Sequence, residues 1–98
     1  MTITKATDKN VLTLKVAGRL DTNTAPQLES EIQKSIEGIK KLILNFEELV
    51  YVSSAGLRVI LAAQKQMNRQ GSLIICNVSS AVMEVFEITG FVDILTIE

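Results

Sequence analysis

The order of strand-like and helix-like segments predicts an α/β fold, a small mixed β-sheet covered by helices in the order ββαβαβα, with a final β segment left open. Two observations lead to this prediction. The first two strand-like segments are joined by a short turn, which makes them an antiparallel hairpin. Each later strand is reached through a helical crossover, which brings it parallel to the strand before it. Helices must then cover the apolar sheet.

The chain is expected to form a single domain over residues 1–98, because 98 residues are near the common domain size and too few for two cores. Hydrophobic residues make up 47% of the chain, which excludes a disordered protein. The net charge of −1 provides no basic footprint, so direct nucleic-acid binding is not expected.

The chain lacks the residues that many catalytic and metal sites use. It has no His, which removes the usual general base and the commonest metal ligand. Its single Cys excludes an internal disulfide and a thiolate metal cluster. We therefore expect no enzyme activity, no catalytic residues, no metal and no cofactor, and a protein that acts by binding.

No targeting segment is predicted. Residues Met1–Lys9 contain no apolar stretch of the signal-peptide type. No apolar run approaches the roughly 18 residues of a membrane-spanning helix. Together with the single Cys, this predicts a cytoplasmic protein without a membrane partner.

The hairpin is predicted from Ile3–Ala6 and Val11–Gly18, which are separated by the turn residues Thr7–Asn10. The second of these segments largely alternates apolar and polar residues, as a strand with one covered face does.

The first helix is predicted to follow Asp21–Pro26, where Asp, Thr and Asn offer capping side chains and Pro suits a first turn. Its apolar face repeats every four residues, at Leu28, Ile32 and Ile36. Gly38 is the predicted end, with Ile39 placed to pack back onto the last turn.

Two later segments, Lys41–Phe46 and Ser72–Cys76, are nearly continuous apolar runs, typical of strands covered on both faces. Between them, a second helix is predicted to begin at Ser53–Gly56 and to end at Gly71. Its buried stripe is expected from Leu57, Ile60, Leu61 and Met67.

A third helix is predicted after a cap at Ser79 or Ser80. Its inward face is expected from Val82, Val85 and Phe86. Gly90 followed by Phe91 fits a left-handed helix end. Ile94–Ile97 is either a last short strand or part of a C-terminal tail.

Three strands of the predicted sheet run parallel, so their carboxyl ends share one edge, where open α/β sheets bind ligands. Three loops follow these ends, each leading into a helix N-terminus: Asp21–Thr24, Val50–Gly56 and Asn77–Ser80. We therefore expect the functional site on this edge.

The segment Ser53-Ser54-Ala55-Gly56 allows two interpretations. One is plain helix capping, in which a Ser side chain accepts a bond from an early backbone N–H. The other is phosphorylation, which adds a charge of about −1.5 to −2 that a helix N-terminus tolerates. Arg58, one turn later, could pair with a phosphate or reach a partner's carboxylate. A hydrolase Ser is disfavoured, since no His is present as its base and the pattern is not Gly-x-Ser-x-Gly.

Two further residues have ordinary interpretations. Cys76 ends a buried strand and is expected to act as a small hydrophobic residue. Tyr51, the only Tyr, is expected to pack over the loop, with the alternative that its hydroxyl faces a partner.

Three motifs occur in a fixed order along the whole chain: Gly18-Arg19-Leu20-Asp21 followed by Thr24-Ala25, Val52-Ser53-Ser54-Ala55-Gly56-Leu57, and Ile88-Thr89-Gly90-Phe91. In this order the chain resembles the STAS domain family (sulphate transporter and anti-sigma-factor antagonist). In particular, it is similar to the stand-alone bacterial anti-sigma-factor antagonists.

The resemblance implies a partner switch. Antagonists of this family bind an anti-sigma factor that is also a serine kinase, and this binding releases the sigma factor. The kinase phosphorylates a Ser before the second helix, which breaks the complex, and a serine phosphatase reverses the modification.

The resemblance also assigns roles to residues. Aligned by Gly56-Leu57, the phosphorylated residue is Ser54. Ser53 stands where the family often has Asp, and it is the less favoured acceptor. Asp21 matches a loop residue implicated in partner contact. The full set expected to contact the partner is Asp21, Thr22, Asn23, Ser53, Ser54, Ala55, Gly56 and Arg58.

Two other function classes are considered. A STAS subunit could serve as an accessory or scaffold of a transporter or sensory complex, in which the Ser would be only a cap. A response-regulator-type phosphoacceptor needs Asp residues clustered at strand ends, and here Asp occurs only at positions 8, 21 and 93. That class is therefore disfavoured.

Overall fold

The computed structural model describes all 98 residues and contains five strands, three α-helices and one 3₁₀ turn. The strands are β1 (Thr2–Asp8), β2 (Val11–Leu20), β3 (Lys41–Asn45), β4 (Leu49–Val52) and β5 (Ser72–Cys76). The helices are α1 (Ala25–Ser35), α2 (Ser54–Gln70) and α3 (Ser80–Ile88), and the 3₁₀ turn covers Phe91–Asp93. The predicted α/β class with a small mixed sheet is confirmed.

The sheet has the order β1-β2-β3-β5, with β1 antiparallel to β2 and the other pairs parallel. The strand β4 was not predicted. It pairs in parallel with the last residues of β2 and overlaps the start of the stretch Val50–Gly56, which the sequence assigned to a loop. Its four residues are too few for a periodic pattern, and the long β2 provides its partner from about 30 positions earlier in the chain.

The prediction that β3 and β5 are covered on both faces is wrong. In β3, Leu42 and Leu44 are fully buried, whereas Ile43 between them is only partly buried. The strand β5 repeats this alternation. The buried face of the sheet packs into the core with the helices, and the opposite face stays partly exposed. Ile43 and Ile74 are paired neighbours on that open face. They make the two strand sequences continuously apolar, although no helix covers this face.

The core is one cluster of 23 buried residues contributed by the sheet and all three helices. In α2, the predicted Leu57, Ile60 and Met67 are buried, but Leu61 is only partly buried. Four further residues of this helix are buried, Gly56, Val59, Ala63 and Gln64. None of the helices combines the length and apolar character that crossing a membrane requires.

Three glycines were predicted to end helices. The helix α1 ends earlier, at Ser35, and Gly38 lies beyond it with φ of 78°. The other two differ in their physical cause. Gly90 adopts the left-handed conformation, with φ of 79°, as the sequence predicts. Gly71 is instead extended, with φ of 176°, and is needed because a Cβ there would lie 1.9 Å from the carbonyl oxygen of Lys40. The end of α2 is therefore set by a close approach to the segment before β3, and not by a left-handed turn.

The C-terminal segment contributes a single parallel bridge to the sheet, between Ile75 and Ile97. The Ile75 N–H donates to the Thr96 carbonyl at 2.9 Å, and the Glu98 N–H donates to the Ile75 carbonyl at 2.8 Å. Residues 94–97 thus form neither a full strand nor a free tail, but a segment fastened at one residue beside β5.

Candidate functional site

Parallel strands bring the loops before α1, α2 and α3 to one edge of the sheet. The backbone links the first two loops directly, because the Ser53 N–H donates to the Leu20 carbonyl at 2.9 Å. Leu20 ends β2, and Asp21 follows it immediately. We define the switch edge as Asp21–Thr24 together with Ser53, Ser54 and Arg58.

The Asp21 side chain closes the turn that leads into α1. Its Oδ1 accepts bonds from the backbone N–H groups of Asn23 at 3.0 Å and Thr24 at 3.1 Å. The Thr24 hydroxyl in turn donates to the Arg19 carbonyl at 2.8 Å. The N-cap residue is Thr24, without a side-chain cap bond, so the predicted capping by Asp, Thr or Asn is corrected to a turn that precedes the helix.

The Asp21 carboxylate is about 27% exposed and carries a pKa below its ordinary value. Partial desolvation acts to raise the pKa of Asp21, but the bonds from the Thr24 and Asn23 N–H groups, the Thr24 hydroxyl and the nearby Arg19 together lower it. Its Oδ2 lies 3.7 Å from Nε of Arg19. Asp21 is therefore ionised and fixed in orientation.

The two serines before α2 have different environments. Ser53 is the N-cap, and its Oγ accepts from the Gly56 N–H at 3.2 Å. Ser54 is the first helical residue and is exposed, and its hydroxyl makes no hydrogen bond within the chain. One turn later, Arg58 is also exposed and forms no ion pair. A free hydroxyl at the start of the helix is therefore followed, one turn later, by an unpaired guanidinium.

Not all the predicted partner-contacting residues are accessible. Thr22 and Asn23 are exposed, but Ala55 is half-buried against the core. Gly56 is buried, and a Cβ at its position would lie 2.7 Å from Leu20 Cγ. The Gly therefore allows α2 to pack closely on the end of β2, a role that presents no surface to a partner.

The third loop repeats the capping arrangement at α3. The Ser79 Oγ accepts from the Val82 N–H at 3.3 Å, and Ser80 is exposed as the first helical residue. The sequence left open which of the two serines is the cap, and the structure assigns the cap to Ser79.

Three exposed residues near the switch edge lie outside the set predicted to contact the partner: Arg19, Val50 and Tyr51. Of these, the sequence pointed only to Tyr51, in the alternative that its hydroxyl faces a partner. The Arg19 guanidinium stacks over the Tyr51 ring, 4.2 Å from its centroid. Tyr51 is 40% exposed and Val50 is 63% exposed. The sequence contains one signal that could have identified this surface. Val50 and Tyr51 are consecutive large residues in a predicted loop, and a loop rarely exposes two such side chains without a binding role.

The switch edge is a surface without an enclosed pocket. The one groove of the molecule, of about 380 Å³, lies elsewhere, between α1 and α2. No group of three or more His, Cys, Asp or Glu side chains could hold a metal ion. The geometry suits contact with another protein better than capture of a small molecule.

The sequence model of the STAS domain family matches residues 2–98 of this chain. The chain belongs to the STAS domain family. Among related STAS proteins, BtrV of Bordetella bronchiseptica, which is classed with the anti-sigma factor antagonists, is 40% identical over 82 residues, covering 82% of this chain and 71% of BtrV. The anti-sigma-B factor antagonist of Listeria monocytogenes is 35% identical over 97 residues, covering 96% of this chain and 84% of the relative.

Solved structures confirm the STAS fold. The anti-sigma factor antagonist SpoIIAA in its unphosphorylated form superposes with a TM-score of 0.85 at 22% identity, covering 99% of this chain and 88% of SpoIIAA. The phosphorylated form of Bacillus SpoIIAA gives a TM-score of 0.77 at 21% identity, covering 99% and 91% of the two chains. At these identities the likeness establishes the shared fold.

Proposed function

We propose that this STAS protein is an anti-sigma factor antagonist whose binding to its partner is switched off by phosphorylation of Ser54. The observation that carries the proposal is the exposed, unbonded Ser54 hydroxyl at the start of α2, beside a capping Ser53 whose hydroxyl is already engaged. The named antagonists among its relatives supply the partner class, an anti-sigma factor.

In the unphosphorylated state the switch edge binds the anti-sigma factor, which releases the sigma factor for transcription. Binding is the whole activity of this protein, which is a regulator and not an enzyme. It needs no cofactor, and it contacts neither nucleic acid nor membrane. We place the exchange in the cytoplasm, where the transcription machinery and ATP are found.

In the phosphorylation step, the anti-sigma factor acts as a serine kinase. The Ser54 oxygen attacks the γ-phosphorus of ATP, the hydroxyl proton passes to a base of the kinase, and ADP leaves. A serine phosphatase restores the hydroxyl by hydrolysis of the phosphate ester. Ser54 is the acceptor because its oxygen is exposed, whereas the Ser53 oxygen accepts the Gly56 N–H.

The phosphate brings a charge of about −1.5 to −2 to the centre of the contact. The fold tolerates this charge, because early N–H groups and the helix dipole of α2 favour an anion there and Arg58 is free one turn away. The complex does not tolerate it, because the charge loses its hydration in the interface, and this desolvation can cost more than pairing with Arg58 returns. No large change of shape is required.

The alternative of a subunit of a transporter or sensory complex is not favoured. Relatives that align over most of the chain, at 31% to 40% identity, are antagonists.

The test is phosphate transfer from radiolabelled ATP by the cognate anti-sigma kinase. Ser54→Ala is expected to abolish incorporation, because it removes the acceptor oxygen, and Ser53→Ala to keep most of it. Ser80→Ala is the matched control, because Ser80 occupies the same helical position in α3. Undiminished incorporation in Ser54→Ala would refute the assignment.

A further inference from the structure

A β-bulge places two large apolar side chains on the surface beside the switch edge. In the pairing of β2 with β4, Gly18 lies opposite Leu49 and Arg19 opposite Tyr51, which leaves Val50 without a partner. The flanking residues Leu49 and Val52 are buried. An extra residue in one strand re-aims the neighbouring side chains, so Val50 and Tyr51 are both exposed where strict alternation would expose one.

Tyr51 is held in place by a row of charged groups. The Arg19 guanidinium lies 4.2 Å from the Tyr51 ring centroid, and Nε of the same side chain is 3.7 Å from Oδ2 of Asp21. Asp21 is itself fixed by two backbone N–H groups. The row Asp21–Arg19–Tyr51 is therefore ordered before any partner arrives, which reduces the entropy lost on binding.

We propose that Arg19, Val50 and Tyr51, the bulge surface, form a second contact area for the anti-sigma factor, an inference that rests on the proposed function. The partner is expected to place an apolar side chain against Val50 and Tyr51 and a carboxylate on Arg19. Tyr and Arg are the residue types that most often dominate binding energy at protein interfaces.

Continuity with the switch edge identifies the occupant. Tyr51 precedes Ser54 by three residues, and Asp21 of the switch edge contacts Arg19 of the bulge surface. A partner that covers Ser54 therefore reaches the bulge surface without a second binding mode. The charge agrees with this, because the two guanidinium groups here, Arg19 and Arg58, are both exposed. An acidic face on the partner complements them.

The bulge surface contributes affinity for the anti-sigma factor, whereas Ser54 regulates the binding. Phosphorylation adds a charge at Ser54 without altering Val50 or Tyr51, so the contact area is present in both states. The anti-sigma factor does not bind the phosphorylated protein, because of the charge at the centre of the interface, although the bulge surface is intact.

The experiment measures the dissociation constant of the purified anti-sigma factor for full-length variants by calorimetry. Tyr51→Ala is expected to weaken binding 10- to 100-fold, and Tyr51→Phe, which keeps the ring, to restore most of it. Val50→Thr, which keeps the shape of the side chain but replaces one methyl group with a hydroxyl, is expected to weaken binding about 3- to 10-fold. The matched control is Ile88→Ala, since Ile88 is 77% exposed but lies at the end of α3.

Urea unfolding of each variant separates folding from binding, and Val50→Thr keeps the test valid if Tyr51→Ala unfolds. Binding within twofold of the wild type for Tyr51→Ala and Val50→Thr, together with loss of binding in Ser54→Asp, overturns the bulge surface and leaves the proposed function standing. Absence of binding by the unmodified protein overturns both. A dimer in sedimentation that depends on Tyr51 assigns this surface to a second copy and overturns the proposed occupant.

Discussion

The segments Val52–Ala55 and Val78–Ala81 are the same four residues, Val-Ser-Ser-Ala, and each leads from a strand into a helix. Their local structures agree closely. The first Ser is the N-cap in an extended conformation, with φ and ψ of −97° and 175° at Ser53 and −68° and 160° at Ser79. The second Ser is exposed at the first helical position in both.

The surroundings of the two segments differ. Ser53 is followed three residues later by Gly56, which packs on Leu20, whereas Ser79 is followed by the buried Val82. The residue one turn after the exposed Ser is Arg58 in α2 and Glu84 in α3. Only the first segment has a guanidinium that favours a phosphate, and it alone is backbone-bonded to the end of β2. Identical local sequence thus determines identical caps, and the neighbours make only Ser54 suited to the proposed switch.

The largest expected difference between the segments is in partner binding. Ser54→Asp is expected to weaken binding of the anti-sigma factor at least 100-fold, about 2.8 kcal/mol, because the added carboxylate loses its hydration at the centre of the interface. Ser80→Asp is expected to stay within about threefold of the wild type. Calorimetric titration of both variants tests this. Equal losses would show that the cap position alone, and not its surroundings, determines the effect.

The second difference between the segments concerns the free energy of unfolding and arises at Gly56. A Gly→Ala change inside a helix normally stabilises by about 1 kcal/mol. Here the added Cβ would be 2.7 Å from Leu20 Cγ, so Gly56→Ala is expected to destabilise by about 1–3 kcal/mol in urea unfolding. Ala62→Gly, at an exposed position of the same helix, measures the ordinary preference. Stabilisation by Gly56→Ala would contradict the close packing.

The two caps are expected to contribute equally, at about 1 kcal/mol each. Ser53→Ala and Ser79→Ala each remove one bond to a backbone N–H, and thermal or urea unfolding measures the loss. The adjacent changes Ser54→Ala and Ser80→Ala remove no bond and are the controls, expected within about 0.5 kcal/mol of the wild type. A loss in Ser54→Ala as large as in Ser53→Ala would reverse the assignment of the cap.

The smallest expected effect concerns Asp21, whose loop lies beside the first segment and not the second. The lowered pKa of Asp21 stabilises the fold fully above the ordinary carboxyl pKa, and this contribution is lost as the pH falls through the folded-state value. Asp21→Asn is therefore expected to flatten the acid limb of a stability–pH profile measured by urea unfolding. Asp8→Asn, at an exposed carboxylate without an ion pair, is the control. An unchanged acid limb in Asp21→Asn would contradict the pKa shift.

Much of the fold could be predicted because it depends on short-range patterns. Helical periodicity located the three helices, and the crossovers fixed the parallel strands. The left-handed end at Gly90 and the buried Ile39 follow from residues within a few positions of each other. The motif around Ser54 indicated the switch edge for the same reason, since a cap and its helix are contiguous in sequence.

Features that depend on residues far apart in the sequence were determined by the tertiary structure alone. The bulge at Val50 exists because β4 pairs with the end of β2, and the open face of the sheet exists because no helix covers it. Gly71 is required by the carbonyl of Lys40, and Gly56 by Leu20. Two copies of Val-Ser-Ser-Ala cannot be told apart by their own residues. The difference between a structural cap and the proposed switch arises from groups brought together by folding, the Asp21 loop, Arg19 and the exposed Tyr51.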